Sequence, residues 1–206
     1  MSNPRPNILL LMTDEQRFDA LGAVKSIVKT PNVDRLAADG VLFTRAYTTN
    51  PSCVPARAAL LTGRFPHQCG APGYITHVAD HETTFTSLLQ QAGYYTAHIG
   101  KLHLATSKIE HGLDYEDIVD SHGPQPQTPE KDSYQRWLHQ AGFRNGNELL
   151  RWNPETRISA DWLADPKYHV DEYIGDRGRD WLVNHRSDGQ PWFCTVSFPG
   201  PHMPFD

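Results

Sequence analysis

A cysteine and an arginine one helical turn apart are the residues whose types and spacing most clearly suggest chemistry. Cys53 stands two residues before Pro55, and Arg57 follows. Proline is favoured in the first turn of a helix, so this spacing predicts that Cys53 lies at a helix N-terminus. The free N–H groups and the helix dipole favour an anion there, and Arg57 adds a positive charge. The segment thus suits a sulfuryl or phosphoryl group, whereas a cysteine by itself is more often a small buried apolar residue.

Five more residues with chemically active side chains follow apolar segments of the chain. Carboxylates offer hard oxygen ligands to Mg2+ or Ca2+, and imidazoles and amines can transfer protons or bind anions. Taken singly, each has an ordinary structural interpretation, such as a solvated turn, a strand end facing water or a rigid loop between prolines. The carboxylates are Asp14 and Glu15, the amine is Lys101, and the imidazoles are His103 and His202.

The elements that must position these residues alternate between strand and helix patterns. The apolar run Asn7–Thr13 is typical of a strand buried on both faces. Thr30 and Pro31 predict the start of a helix, and Gly40 predicts its end. The alternation predicts an α/β domain with a largely parallel sheet and helices on both faces. The other predicted strands are Val41–Thr48, Tyr94–Ile99 and Trp192–Ser197, the other predicted helices are Pro55–Leu61, Phe85–Ala92, Asp132–Ala141 and Val170–Asn184, and residues 123–129 are predicted to form a loop.

The chemically active residues share one place relative to these strands. In an open α/β sheet, ligands bind beyond the carboxyl ends of the strands. Each of the residues introduced above follows one of the four predicted strands, with Cys53 in the loop after Val41–Thr48. Chance would scatter such residues over both edges of the sheet. We therefore predict that they form a single polar site at one edge.

Composition narrows the classes of partner. The chain has 206 residues, with 19 basic and 24 acidic side chains and a net charge of -5, and no block of Lys and Arg runs along it. Nucleic acid is therefore not an expected partner. The longest apolar run, Ile8–Met12, is too short to span a bilayer and no small-residue cleavage site follows it, so we expect a cytoplasmic protein and no membrane partner. The three cysteines cannot all pair and form no CxxC cluster, which argues against a disulfide scaffold or a thiolate zinc site.

Five ordered segments together resemble the sulfatase family. Cys53–Arg57 has the form C-x-P-x-R and is followed by Leu61–Arg64, L-T-G-R, which closely resembles the sulfatase signature. The resemblance implies a three-layer α/β sandwich with a largely parallel central sheet, as in alkaline phosphatases and sulfatases. It also implies hydrolysis of a small-molecule or glycan sulfate ester. The other segments are Asn7–Asp14, Thr30–Phe43, Gly100–His103, similar to the family's G-K-W-H, and Ser197–Phe205, similar to its S-F-x-x-P-H-x-P-F.

The resemblance implies a modified nucleophile and a metal. In this family a formylglycine-generating maturation enzyme oxidises the signature cysteine, here Cys53, and the hydrated aldehyde carries two hydroxyls on one carbon. One hydroxyl attacks sulfur and the other later drives sulfate release, because a serine or thiol would leave a sulfated enzyme that is hard to hydrolyse. Asp14, Glu15 and the modified Cys53 would bind Ca2+, or Mg2+ or Mn2+, which activates the attacking hydroxyl.

The resemblance also assigns roles to four further side chains. Arg57 would hold the hydrate in place, and Lys101 would contact the sulfate and the nucleophile. His103 would be the base for sulfate release, and His202 would face the sulfate or the leaving oxygen.

The sequence departs from the family pattern in several places. Glu15 stands where Asp, Asn or Gln is common, Ala56 where Ser is frequent, and Leu102 where Trp is common. Relatives place a second acidic or amide metal pair and another lysine well after the P-H-x-P segment. We therefore expect residues 1–206 to be the N-terminal portion of one sulfatase-type catalytic domain, incomplete at the C-terminus and inactive by itself.

Three alternative functions remain open at this level. A phosphonate monoester or phosphodiester hydrolase of the same superfamily has a substrate with the same tetrahedral anion. A zinc hydrolase could use His77 and His81, which have the spacing of a helical zinc site but lack the usual glutamate. A non-catalytic relative could bind sulfated ligands with an unmodified Cys53. We also predict that Tyr74, His77 and residues 121–131 border the substrate pocket.

Overall fold

A parallel sheet forms the centre of the fold. The structure, a computed structural model, describes residues 5–104, 111–120, 132–156, 158–185 and 189–205. In these residues four parallel strands have the order β1-β6-β2-β3, and β4 and β5 form a separate antiparallel pair. The strands are β1 (Ile8–Met12), β2 (Tyr95–Gly100), β3 (Tyr115–Ile118), β4 (Leu150–Trp152), β5 (Ala160–Trp162) and β6 (Trp192–Ser197); the helices are α1 (Pro31–Asp39), α2 (Cys53–Thr62), α3 (Phe85–Gln91), α4 (Ser133–Gln140) and α5 (Val170–Asp180), the last continuing as a π-helical turn, Trp181–His185.

Side-chain alternation along the two central strands builds a core on each face of the sheet. Ala97 and Ile99 of β2 and Cys194 and Val196 of β6 face a core built with α4 and α5, in which Trp181 is fully buried. The residues between them face α2 and α3 on the other side. The sheet is therefore the middle layer of a three-layer α/β arrangement, as the sequence predicts.

Most predicted elements are confirmed, with boundaries shifted by a residue or two. Helix α1 begins with Pro31 in its first turn and stops at Gly40. Helix α2 begins two residues before Pro55 and ends at Gly63, whose positive φ of 67° suits glycine. Strand β6 has the predicted bounds. Strands β3, β4 and β5 were not predicted, and the predicted loop at 123–129 lies outside the described residues.

The prediction of a strand at Val41–Thr48 is wrong. This segment has no strand in the structure, and Val41, Phe43 and Tyr47 are exposed by 78%, 73% and 87%. A strand needs a neighbour that accepts and donates its backbone hydrogen bonds, and none of the described strands pairs with these residues. Cys53 is therefore carried by helix α2 and not by a loop after a strand.

The prediction that the first strand is buried on both faces is also wrong for these residues. Strand β1 lies at one edge of the described sheet and pairs only with β6. Leu9 and Leu11 are exposed by 41% and 54%. Leu10 and Met12 line a cavity together with Leu60 and Leu61 of α2, but the described residues supply no layer over the opposite face of the strand, which carries Leu9 and Leu11.

Two further points limit the alternatives. Residues 77–81 form no helix, so His77 and His81 lack the helical spacing of the zinc-hydrolase hypothesis, and both side chains are exposed. In the part of the chain that the structure describes, no helix has the length and apolar character needed to cross a membrane.

Candidate active site

Backbone hydrogen bonds draw the loops after three strands together at one edge of the sheet. Lys101, just after β2, donates its N–H to the carbonyl of Ser197 at the end of β6, over 2.8 Å. Asp14, just after β1, donates its N–H to the carbonyl of Gly200 over 3.1 Å. Because these strands are parallel and adjacent, their carboxyl ends meet at this edge. Helix α2 places Cys53 against the same edge.

A buried charge cluster lies at the centre of the site. The Lys101 ammonium, fully buried, forms an ion pair with Asp14, and the Arg57 guanidinium lies 3.7 Å from the same carboxylate. Arg57 also donates to the carbonyl of Lys101 and, over 3.0 Å, to Oγ of Ser197. Burial by itself would raise the pKa of Asp14, but Lys101 and then Arg57 hold that pKa below its ordinary value. The carboxylate is therefore ionised, and two cations lie side by side next to it.

Cys53 is the first residue of α2 and its side chain is buried, with 7% exposed. Burial is the largest cause of the raised pKa of its thiol; the nearby Lys101 opposes that effect, and Asp14 adds to it. The group is therefore a thiol at neutral pH and not a reactive thiolate. Its place is still that of an anion site, at a helix N-terminus with two buried cations beside it.

Glu15, Cys53 and His202 bring one ligand atom each to within 4.8 Å of one another. Glu15 adopts a left-handed conformation, with φ 58°, and one of its carboxylate oxygens lies 3.4 Å from Nε2 of His202. Carboxylate oxygens suit hard cations such as Ca2+ or Mg2+, whereas a thiol sulfur does not. An oxygen in place of the sulfur at residue 53, beside the Glu15 carboxylate, would suit a hard divalent cation. Asp14, whose carboxylate pairs with Lys101, lies outside this group of three.

His103 follows Lys101 by two residues in the turn after β2. It is half-buried and also adopts a left-handed conformation, with φ 57°. Burial, and then the charges of Lys101 and Arg57, lower the pKa of its imidazole to about 4. The ring is therefore neutral at pH 7 and able to accept a proton. Tyr74, itself exposed by 59%, contacts the ring edge-on, with centroids 5.5 Å apart.

Sequence reasoning missed two residues of this region. Ser197 Oγ accepts a hydrogen bond from Arg57, and its place at the start of the S-F-x-x-P-H segment could have suggested this. Asp120 Oδ1 accepts hydrogen bonds from the backbone N–H groups of Leu102 and His103. Asp120 belongs to none of the segments with a recognisable pattern, so nothing local in the sequence points to it. Tyr74 contacts His103, the His77 side chain is exposed, and residues 121–131 lie outside the described residues.

Comparison with known proteins decides the family. The sulfatase family model matches residues 6–206. The chain belongs to the sulfatase family. An arylsulfatase from Clostridium perfringens is 30% identical to this chain over 214 residues, which cover 98% of this chain and 44% of that protein.

Solved structures agree on the fold of this chain. A phosphonate monoester hydrolase of Agrobacterium radiobacter superposes with a TM-score of 0.74 at 26% identity, covering 96% of this chain and 41% of that one. A protein solved in complex with its substrate D-glucosamine-2-N,6-O-disulfate superposes with a TM-score of 0.68 at 29% identity, covering 97% of this chain and 35% of that one. The predicted alkaline phosphatase-like fold is thus confirmed. The chain spans less than half the length of these relatives.

Proposed function

We propose that the protein containing this chain hydrolyses sulfate esters at the site around Cys53. The observation that carries the proposal is the buried pair of cations, Lys101 and Arg57, beside the N-terminus of α2. Two fixed positive charges and the free N–H groups of a helix match the oxygens of a tetrahedral sulfate group. These groups are already held by Asp14, Ser197 and the Lys101 backbone, so they need little rearrangement to bind the anion.

Asp14, Glu15 and the modified residue 53 are the residues that would hold a divalent cation, Ca2+ or alternatively Mg2+ or Mn2+. Such a cation lowers the pKa of a hydroxyl that it binds and offsets negative charge on a transferred group. Within the site, the ion pair with Lys101 keeps Asp14 ionised, which is the form that binds a cation. Glu15 lies beside Cys53 and His202, as a ligand at this position must.

Formylglycine made from Cys53 by a maturation enzyme would supply, as its hydrate, one hydroxyl for attack on sulfur and a second for sulfate release. The place of Cys53 at the start of α2 keeps it next to the two cations that would bind the sulfate. The raised pKa of the unmodified thiol gives it little nucleophilic character by itself.

The remaining side chains take up protons and position groups. Arg57 fixes the turn that carries Lys101 and directs its charge toward Asp14. Neutral His103 would take the proton from the second hydroxyl during release, since its pKa of about 4 leaves it unprotonated at neutral pH. His202, next to Glu15, would face the leaving oxygen.

A sulfated saccharide is the substrate class we propose. The solved relative that holds D-glucosamine-2-N,6-O-disulfate supports it. Tyr74 supports it too, because an exposed aromatic ring beside His103 can pack against a sugar ring attached to the sulfate.

The proposal is tested by producing the natural full-length protein with and without a formylglycine-generating enzyme. We expect the peptide containing Cys53 to lose H2S and gain one oxygen, and hydrolysis of an aryl sulfate to require that change. Cys53→Ala should abolish turnover. Cys69→Ala is the matched control, because Cys69 is also buried and free but belongs to the core beneath α2.

Two results would contradict this proposal. If Cys53 stays a cysteine in the presence of the maturation enzyme, the covalent mechanism fails. If the protein with Cys53 converted to formylglycine binds sulfated saccharides without turning them over, the chain belongs to a binding protein and not to a hydrolase.

Phosphonate monoester hydrolysis is a second candidate, favoured by the TM-score of 0.74 to the Agrobacterium enzyme. Both substrates present a tetrahedral anion to the same cations. Comparing kcat/KM for an aryl sulfate and an aryl phosphonate monoester separates the two, and a larger value for the phosphonate would replace our first proposal.

A further inference from the structure

The turn that carries Lys101 and His103 is held by an aspartate from the neighbouring strand. Oδ1 of Asp120 accepts hydrogen bonds from the N–H of Leu102, over 3.1 Å, and from the N–H of His103, over 2.7 Å. On the other side, Arg57 donates to the carbonyl of Lys101. The turn is therefore fixed at three successive residues, at the point where two proposed catalytic side chains leave the sheet.

The turn needs such support because its backbone is strained. His103 has φ 57°, a left-handed conformation that is unfavourable for a residue other than glycine and persists only when its surroundings hold it. Asp120 accepts a hydrogen bond from His103 itself and one from the residue before it. Two hydrogen bonds from successive backbone N–H groups to one side chain can hold the turn against this strain.

Asp120 is in turn anchored to helix α4. Its N–H donates to Oδ2 of Asp132 over 2.9 Å, and Oδ1 of Asp132 accepts from the N–H of Gln135 as the N-cap of α4. Oγ of Ser133 donates to the carbonyl of Ile118 at the end of β3. Asp132 is fully buried. Helix α4, β3 and the turn thus form one connected hydrogen-bonded unit.

We propose that Asp120 is a positioning residue, which holds Lys101 and His103 in the geometry that sulfate release requires. The proposal rests on the function proposed above. Asp120 acts through the backbone of the turn and touches neither substrate nor metal in this assignment. Its loss should therefore lower kcat, because misplacing a catalytic group by about 1 Å can cost about a hundredfold in rate.

A second aspartate, at the other end of β3, provides a matched control. Asp114 lies just before β3 and accepts from the N–H and the hydroxyl of Thr96, near the start of β2. Asp120 lies just after β3 and holds the residues that follow β2. Both carboxylates thus accept hydrogen bonds from β2 or the residues that follow it. Asp114 bonds near the start of β2, and Asp120 bonds beyond its end, where the candidate site lies.

The experiment compares Asp120→Ala, Asp120→Asn and Asp114→Ala in the natural full-length protein with Cys53 converted to formylglycine. For Asp120→Ala we expect kcat for an aryl sulfate to fall about 10- to 100-fold with KM changed less than about threefold. Asp120→Asn keeps an acceptor oxygen and should retain kcat within about threefold. Asp114→Ala should lower the midpoint of thermal unfolding but leave kcat within about twofold. If Asp120→Ala does not fold, Asp120→Ser takes its place, because its hydroxyl is too short to reach both N–H groups.

Amide hydrogen exchange gives a readout that does not depend on activity. Exchange in the peptide containing Lys101–Leu104 should speed up in Asp120→Ala and stay unchanged in Asp114→Ala, where the faster exchange should appear around Thr96. Equal losses of kcat in the two alanine variants, a normal kcat in Asp120→Ala, or unchanged exchange in Lys101–Leu104 would each overturn the proposal. If the wild-type protein hydrolyses no sulfate ester, the proposed function fails, and the exchange result alone then decides the role of Asp120.

Discussion

Replacing Lys101 with methionine should destabilise the fold strongly, although it removes a charge from the interior. Lys101 is fully buried and pairs with Asp14, whose side chain is 10% exposed. Methionine fills a similar volume, so the change removes the charge with little loss of packing. It leaves a buried carboxylate without its main partner, which is the costly way to break a buried ion pair.

The structure sets the size of the effect. Breaking a buried pair by removing one partner costs about 3–5 kcal/mol. Asp14 keeps Arg57 at 3.7 Å, a gross attraction of about 4–5 kcal/mol at an effective dielectric constant of 20, so we expect the lower end, about 3 kcal/mol. In the double variant Asp14→Asn, Lys101→Met, no carboxylate is left without its partner at this place. The free energy of unfolding should therefore fall in the double variant by less than the sum of its decreases in the two single variants, with a difference of at least about 1 kcal/mol.

Urea unfolding of the natural full-length protein, at pH 7 and with a chelator to exclude divalent cations, measures all four free energies of unfolding. The slope of each transition shows whether the variants unfold in the same way as the wild type. Losses that add within about 0.5 kcal/mol would show that the two groups do not interact. The buried charge cluster would then be the wrong description of this site.

Three further predictions follow from other parts of the structure. Gly100→Ala should abolish folding or turnover, because its φ of 95° disfavours other residues and a Cβ would collide with the carbonyl oxygen of Ser197; circular dichroism and an aryl sulfate assay check this. Burial lowers the pKa of His98 from 6.5 to about 3, so the unfolded chain gains a proton below pH 6.5 that the folded protein does not, and stability is lost as pH falls through this window. By pH 5 the loss in the free energy of unfolding amounts to about 2 kcal/mol. In urea unfolding, the free energy of unfolding of His98→Met should fall less between pH 7 and pH 5 than that of the wild type. Residues 1–206 expressed alone should aggregate and lack turnover, because the apolar edge of β1 is exposed; a cooperatively unfolding, active preparation in light scattering and activity assays would contradict this.

The elements at the centre of the sheet could be predicted because their signals are local. Strand β6 is a mostly apolar run after a Gly189 turn, and all of its residues are buried. Helix α2 is specified by Pro55 near its start and Gly63 at its end. Once the strands are taken to be parallel, their carboxyl ends meet at one edge, which places Asp14, Lys101 and His202 on the same side.

The rest could not be predicted because it depends on partners distant in sequence. The apolar pattern of Val41–Thr48 fits a strand, but a pattern cannot show whether another strand lies beside it. The role of Asp120 could not be predicted either, because it accepts hydrogen bonds from two backbone N–H groups that lie 17 and 18 residues earlier in the chain. Local periodicity identifies what a segment can become, and only the pairing of segments decides whether it does.

The two sides of the candidate site differ in how many backbone hydrogen bonds hold them in place. Strands β2 and β6 are each paired on both sides, and the turn at Lys101–His103 is fixed by Arg57, Ser197 and Asp120. Asp14 and Glu15 instead follow a strand that pairs on one side only. Strand edges without a partner open more easily than central strands. The side of the site that carries Asp14 and Glu15 should therefore be less rigid in these residues than the side that carries Lys101 and His103, and a segment that paired with β1 would also order the two carboxylates proposed as metal ligands.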